Sequence, residues 1–223
     1  MKYFLTLLGV GVLVVLIFTF RKVESVVDKA VSKIEKFDSK LLAEKKKGNS
    51  KVVEEVRAVA DFSKIAVSGA IDVVLKQGKE QSVVVKTDSN LQENLTTVVE
   101  GGLLKLETKG LIQNYEMLKV FVTVKDLKGI VASGATTVLG RGITVKECHF
   151  SISGASKVDL KNFLVDNAEI KASGASSIHL EGKCENLTIK ASGASNVNLF
   201  QLQAQNVVAR ASGASDIDVT AKF

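Results

Sequence analysis

Residues 152–215 read ISGASKVDLKNFLVDNAEIKASGASSIHLEGKCENLTIKASGASNVNLFQLQAQNVVARASGAS. The S-G-A triplets in this stretch decide the fold. With further copies upstream, the triplet glycines are Gly69, Gly134, Gly154, Gly174, Gly193 and Gly213, and the last five are spaced 20, 20, 19 and 20 residues apart. A fixed period of this length marks stacked structural repeats, each one coil of about 20 residues.

Each repeat can be read column by column. Four residues before the glycine stand Ile65, Ile130, Phe150, Ile170, Ile189 and Ala209; two before stand Val67, Ala132, Ile152, Ala172, Ala191 and Ala211. Four after stand Val73, Val138, Val158, Ile178, Val197 and Ile217; six after stand Leu75, Gly140, Leu160, Leu180, Leu199 and Val219. Polar residues fill the positions between, and a period of two means strand. The coil is therefore strand, sharp corner, strand, and glycine suits the corner because it tolerates positive φ. The expected fold class is all-β, a parallel β-solenoid.

Stacking would set equivalent residues one interstrand step apart, about 4.8 Å. Ser133, Ser153, Ser173, Ser192 and Ser212 would form one ladder, and Ser156, Ser176, Ser195 and Ser215 another. Asn167, Asn186 and Asn206 would form a third at a different turn. These rows read as structural; a hydroxyl face for ice or glycan is the alternative.

Composition agrees with an all-β body. The chain has no proline, so no ladder donor is lost, and it has no tryptophan. Its net charge of +6 is local: residues 1–47 carry ten Lys or Arg against five acids, whereas residues 48–223 carry 20 against 19. That balance argues against nucleic acid as a partner of the repeats.

Residues 3–20 carry no charge and would span about 27 Å as a helix, enough for a bilayer core. No small-x-small site comes after them, so we read residues 1–22 as an uncleaved transmembrane signal-anchor touching membrane lipid, with cleavage at an atypical site as the alternative. Residues 23–47 read as a charged helical stalk in which Val23, Val27, Ala30, Ile34, Phe37 and Leu41 make a short heptad seam. Arg21, Lys22, Lys29, Lys33 and Lys36 favour a cytoplasmic location for the stalk and the repeats, whereas a short basic N-terminus before an apolar run favours export. Both topologies stay open.

No chemistry emerges from the polar residues. Cys148 and Cys184 fall in different inward columns two coils apart, beyond disulfide reach, and read as small buried hydrophobes. His149 and His179 lack matching ligands, so no metal site and no cofactor is expected. Asp159, His179, Asn198 and Asp218 share an outward column, but its two carboxylates lie about 14 Å apart, too far for a glycosidase pair. The chain therefore reads as no enzyme.

Residues 52–128 are less regular. Strand patterns cover 64–67, 72–76, 82–87, 103–108 and 119–125, and Ser89 with Asn90 would cap a short helical turn at 91–95. Gly69 and Gly134 are 65 residues apart, which reads as about three coils of wider, irregular build. After Val219 only four residues remain, so an open strand edge is expected, with weak homo-oligomer formation or partner binding there; a monomer whose short last strand is guarded by Asp216, Asp218 and Lys222 is the alternative.

The stretch GNSKVVEEVRAVADFSKIAVSGAIDVVLKQGKEQSVVVKTDSNLQENLTTVVEGGLLKLETKG at 48–110 resembles the head GIN domain family, the auto-transporter adhesin group. The resemblance rests on Phe62, Ile65, Val67, residues 68–75, Gln77-Gly78, residues 88–90 and the later S-G-A-S series, and covers residues 48–223. It implies a bacterial, envelope-associated, right-handed β-solenoid with no catalytic residues. The expected protein is a membrane-anchored, adhesin-like or scaffold module for a protein or glycan partner. Its solenoid would lie in the periplasm, with a cytoplasm-facing tethered scaffold as the alternative.

Overall fold

The structure is a computed structural model that describes residues 45–221. The apolar segment 3–20 and all but the end of the stalk lie outside the described residues. Among the described residues no helix is long and apolar enough to cross a membrane. From Lys46 onward the chain forms one compact unit.

The unit is all-β. In chain order its strands are β1 (Lys46–Lys47), β2 (Val52–Arg57), β3 (Lys64–Ser68), β4 (Asp72–Gln77), β5 (Ser82–Asp88), β6 (Leu95–Glu100), β7 (Leu103–Thr108), β8 (Ile112–Gln113), β9 (Leu118–Val124), β10 (Gly129–Ala132), β11 (Thr137–Ile152), β12 (Lys157–Ala172), β13 (Ser177–Ala191), β14 (Asn196–Ala211) and β15 (Asp216–Ala221). Apart from the short β1–β8 pair, all belong to one 13-stranded sheet.

From β10 onward, period and pairing coincide. Strands β11, β12, β13, β14 and β15 pair in parallel, each with the next. Phe150 faces Ile170, Ile170 faces Ile189 and Ile189 faces Ala209; Val158, Ile178, Val197 and Ile217 align likewise. Each repeat is thus one rung. Inward residues are apolar because each rung's interior closes on itself, and equal volumes stack best on equal volumes. Phe150 and Phe163 meet edge-on with ring centroids 5.7 Å apart. Burying side chains of this size contributes about 1.5–3 kcal/mol each. The contiguous core running from Phe62 to Ala204 belongs wholly to this unit, the condition for a domain that folds by itself.

The 19-residue repeat has a local cause. Leu160 pairs with Leu180 and Phe163 with Gly182, so two residues in one rung face a single residue in the next. The residue is missing from the turn at 181–182. Gly182 makes the shorter path feasible: its φ is +146°, and a Cβ there would collide with the Phe163 carbonyl oxygen.

The first rungs correct the sequence reading. Gly69 and Gly134 sit in adjacent rungs, because Ile65 pairs directly with Ile130 and Ala135 N–H donates to Gly69 O at 2.7 Å. The 65 residues between them do not make three coils. The chain instead doubles back: β7 and β9 pair in parallel with the other edges of β3 and β4. The rung at 64–77 is therefore held between an outer one at 103–124 and the one that begins at Gly129. Beyond the outer rung the pairing turns antiparallel, β6 on β7, β5 on β9 and β2 on β5. Periodicity could not reveal this, since antiparallel neighbours need no repeat.

Two local expectations also change. The helical turn is a 3₁₀ segment, Ser89–Asn94, with Asp88 at its N-cap and no side-chain capping bond, so Ser89 and Asn90 lie inside it. The buried Asp88 carboxylate instead accepts from the Ser50 and Glu116 backbone N–H groups at 2.8 and 3.2 Å, tying down the loops around it. Lys46 and Lys47, assigned to the stalk, form β1 against Ile112 and Gln113.

Candidate ligand-binding groove

The S-G-A corners set the geometry of the most distinctive surface. Each corner glycine has positive φ, +69° at Gly154 and +71° at Gly174, and a Cβ on Gly174 would lie 2.9 Å from Gly154 O. Ala155, Ala175, Ala194 and Ala214 each donate N–H to the glycine carbonyl one rung back, at 2.8–2.9 Å. The parallel ladder therefore continues through the corner, and side chains on either side of it keep their stacking.

Just before the corner, three residues ahead of each glycine, stand Ser151, Lys171, Lys190 and Arg210, in register on adjacent strands. Just after the inward alanine column stand Ser173, Ser192 and Ser212. Between the cations and the serines runs a groove of about 350 Å³. Cations stacked directly across strands repel, at a cost of roughly 0.2–1 kcal/mol per pair. Glu169 compensates part of this: its Oε1 lies 3.1 Å from Lys171 Nζ and 3.8 Å from Lys190 Nζ. The Lys171 hydrogen bond holds the Glu169 carboxyl below its ordinary value. His149 reaches the same carboxylate at 3.3 Å and Glu147 at 2.7 Å. No carboxylate among the described residues pairs with Arg210. The wall is net positive, and the facing hydroxyls make at best long bonds of 3.4 Å, Ser192 to Ala172 O and Ser212 to Ala191 O. Such a row can take oxyanions, with cations for charge and hydroxyls for direction.

The other ladders look inward or to themselves. Ser156, Ser176 and Ser195 are buried, and Ser195 Oγ donates to Ser192 O at 3.0 Å. Asn186 Nδ2 donates to Asn167 Oδ1 at 3.0 Å, and Asn206 Nδ2 to Asn186 Oδ1 at 2.9 Å, an amide ladder along a second edge. Neither row is a free hydroxyl face. The inward alanine column is buried at Ala172 and Ala191, whereas Ala211, in the final full-length strand, is exposed.

Cys148 and Cys184 are free, buried and in separate columns; burial pushes their thiols up to about 12 and about 11. Cys184 floors a second groove of about 400 Å³ whose rim carries Asp166, Glu185 and Lys183, two acids against one base, so it lacks the positive wall of the first. Asp159, His179, Asn198 and Asp218 do share a column. No group of three or more His, Cys, Asp or Glu suited to a metal ion occurs among the described residues.

A reading of the apolar and small positions alone does not reveal the cation column. The signal was there in the residue three before each glycine, basic in three successive repeats.

Fold and site together define an all-β protein that carries a cation-lined groove beside a row of serines. The chain belongs to the family described as "Putative auto-transporter adhesin, head GIN domain", whose model matches residues 61–222. Among solved structures it is similar to a putative adhesin from Bacteroides fragilis, with 21% identity and a TM-score of 0.73, covering 77% of this chain and 81% of that one. It is also similar to a putative lipid binding protein from Parabacteroides distasonis, with 19% identity and a TM-score of 0.66, covering 78% and 84%. Among curated proteins no relative matches. At these identities the structural likeness concerns the fold alone.

Proposed function

We propose that the protein is a non-enzymatic, adhesin-like module of the bacterial cell envelope, a right-handed parallel β-solenoid anchored by residues 1–22 that binds an acidic glycan along the Lys171–Lys190–Arg210 column. The observation that carries this reading is the net-positive cation row, only partly compensated by Glu169, beside stacked serines. Sugars carrying carboxylates or sulfates supply the missing anions, and their hydroxyls suit the serine row. The scarcity of aromatic platforms points away from stacking on neutral sugars.

The full chain in detergent is expected to bind polygalacturonate and to ignore neutral dextran. Lys190→Glu with Arg210→Glu should weaken binding by about tenfold or more, since each lost charge-assisted bond is worth about 1.5–3 kcal/mol. Equal binding of dextran, or indifference to the substitutions, would sink the glycan reading.

The export-type N-terminus supports a periplasmic location. The five cations after the apolar segment favour a second reading, a cytoplasm-facing scaffold. Protease accessibility of the solenoid in intact, permeabilised and lysed cells separates the two.

A further inference from the structure

Four strands near the N-terminal end depart from the inward-apolar, outward-polar rule. They read SVVVKTD in β5, LKVFVTV in β9, DVVLKQ in β4 and TVLG at the start of β11. Unbroken apolar runs are the mark of strands covered on both faces. Their inner residues, Val83, Val85, Val120, Val122, Val73, Leu75 and Val138, fill the core. The outer ones fall into a single file. Val56 pairs with Val84, Val84 with Phe121, Phe121 with Val74 and Val74 with Leu139. Val56 is 73% exposed, Phe121 36% and Leu139 43%, while Val84 and Val74 are half-buried between them. The file crosses five adjacent strands, about 19 Å. In the next rungs the same column becomes Asp159, His179, Asn198 and Asp218, and the apolar file stops.

Its flanks are polar and carry unspent positive charge. On one side stand Glu54, Lys86, Lys119, Asp72 and Thr137, two acids against two bases; on the other stand Ser82, Thr123, Lys76 and Arg141, with two positive charges and no acid. Lys86 is bonded to Glu54 at 2.7 Å. Lys119, Lys76 and Arg141 have no ion-pair partner among the described residues. A second copy is a poor occupant. A file one residue wide is far short of the roughly 800 Å² that each partner gives to a stable interface, and both copies would bring the same positive face. A flat surface of opposite charge fits better. Apolar side chains in file can sink to the headgroup boundary while cations beside them meet anionic headgroups, as amphipathic helices do.

We infer that this face docks onto an anionic lipid surface, with Phe121 and its file inserted and Lys76, Lys119 and Arg141 on the headgroups. The inference goes beyond the glycan reading and does not depend on it.

The test uses residues 46–223, the compact unit with its own core, so that the apolar segment 3–20 contributes nothing. Co-sedimentation is measured with vesicles of phosphatidylcholine alone and of equal parts phosphatidylcholine and phosphatidylglycerol. Binding only to the anionic vesicles is expected. Phe121→Ser with Leu139→Ser should reduce it about tenfold or more, and Lys76→Glu with Arg141→Glu should abolish the preference for phosphatidylglycerol. Val56→Ser, at a side chain largely in solvent, gives a smaller loss that misfolding cannot explain. Lys190→Glu with Arg210→Glu should leave vesicle binding unchanged, so a failed glycan test and a failed lipid test are told apart. The inference is overturned by a unit that ignores both vesicles, by binding indifferent to the apolar substitutions, or by a dimer that the same substitutions dissolve.

Discussion

The two ends of this unit solve the same problem by different means. In the rungs from β11 to β15 each strand pairs in parallel with a copy of itself, so a short motif repeated at one spacing specifies register, corner and core together. In the region from β2 to β9 unlike strands pair, several of them antiparallel, and the chain doubles back so that β7 and β9 lie outside β3 and β4. Outside, the repeats are mainly polar, with isolated exceptions at Leu164, Phe200 and Val208; the apolar file lies on the cap and ends at Leu139 in β11. A repeating stack can be specified by repetition, but its end cannot, because an end has no further copy to pair with. Antiparallel strands answer that need and free the cap from the repeat's composition rules.

The comparison breaks most readily at glycines. Gly182→Ala should be the most damaging single change in the repeats, costing about 3 kcal/mol or more, because positive φ and contact with Phe163 O act together. Urea unfolding of the unit measures it, and a loss under about 1 kcal/mol would mean that the turn relaxes. Ala191→Phe should cost about 1–3 kcal/mol by overpacking, since Ala191 is buried between Ala172 and the Ala211 backbone register. A smaller loss still is expected from Gly102→Ala in the β6–β7 turn, about 1 kcal/mol. Its φ is +76° but nothing lies within 4 Å of the added Cβ, so only the backbone term remains. If Gly102→Ala cost as much as Gly182→Ala, the cap would be as tightly specified as the repeats.

Legibility in the sequence follows the same divide. Columns such as Ile130, Phe150, Ile170 and Ile189 were readable because their alternation is regular and their spacing constant, and the structure pairs them residue for residue. The place of Gly69 was not, since sixty-five intervening residues read as several coils until Ile65 is seen against Ile130. Strands β2 and β6 escaped because VVEEVR and LTTVVE have no clean alternation; β2 lies on the outer edge of β5 and is largely exposed. For the groove, Lys171, Lys190 and Arg210 were each visible, but single lysines read as solvated surface. Only their common register turns them into a feature.

The doubling back of the chain bears on how the molecule assembles. Pairing β11 with β12 closes a loop of 20 residues, whereas bringing β3 to β10 closes one of 65. By the logarithmic dependence of loop entropy on length, the longer closure costs about 1 kcal/mol more. It also traps a rung between two others that are both made later in the chain. We expect the repeats to zip first and the cap to lock last, an order that pulsed hydrogen exchange during refolding would reverse if β3 and β4 were protected before β12 and β13. The strands first in the chain would then be among the last to gain lasting protection.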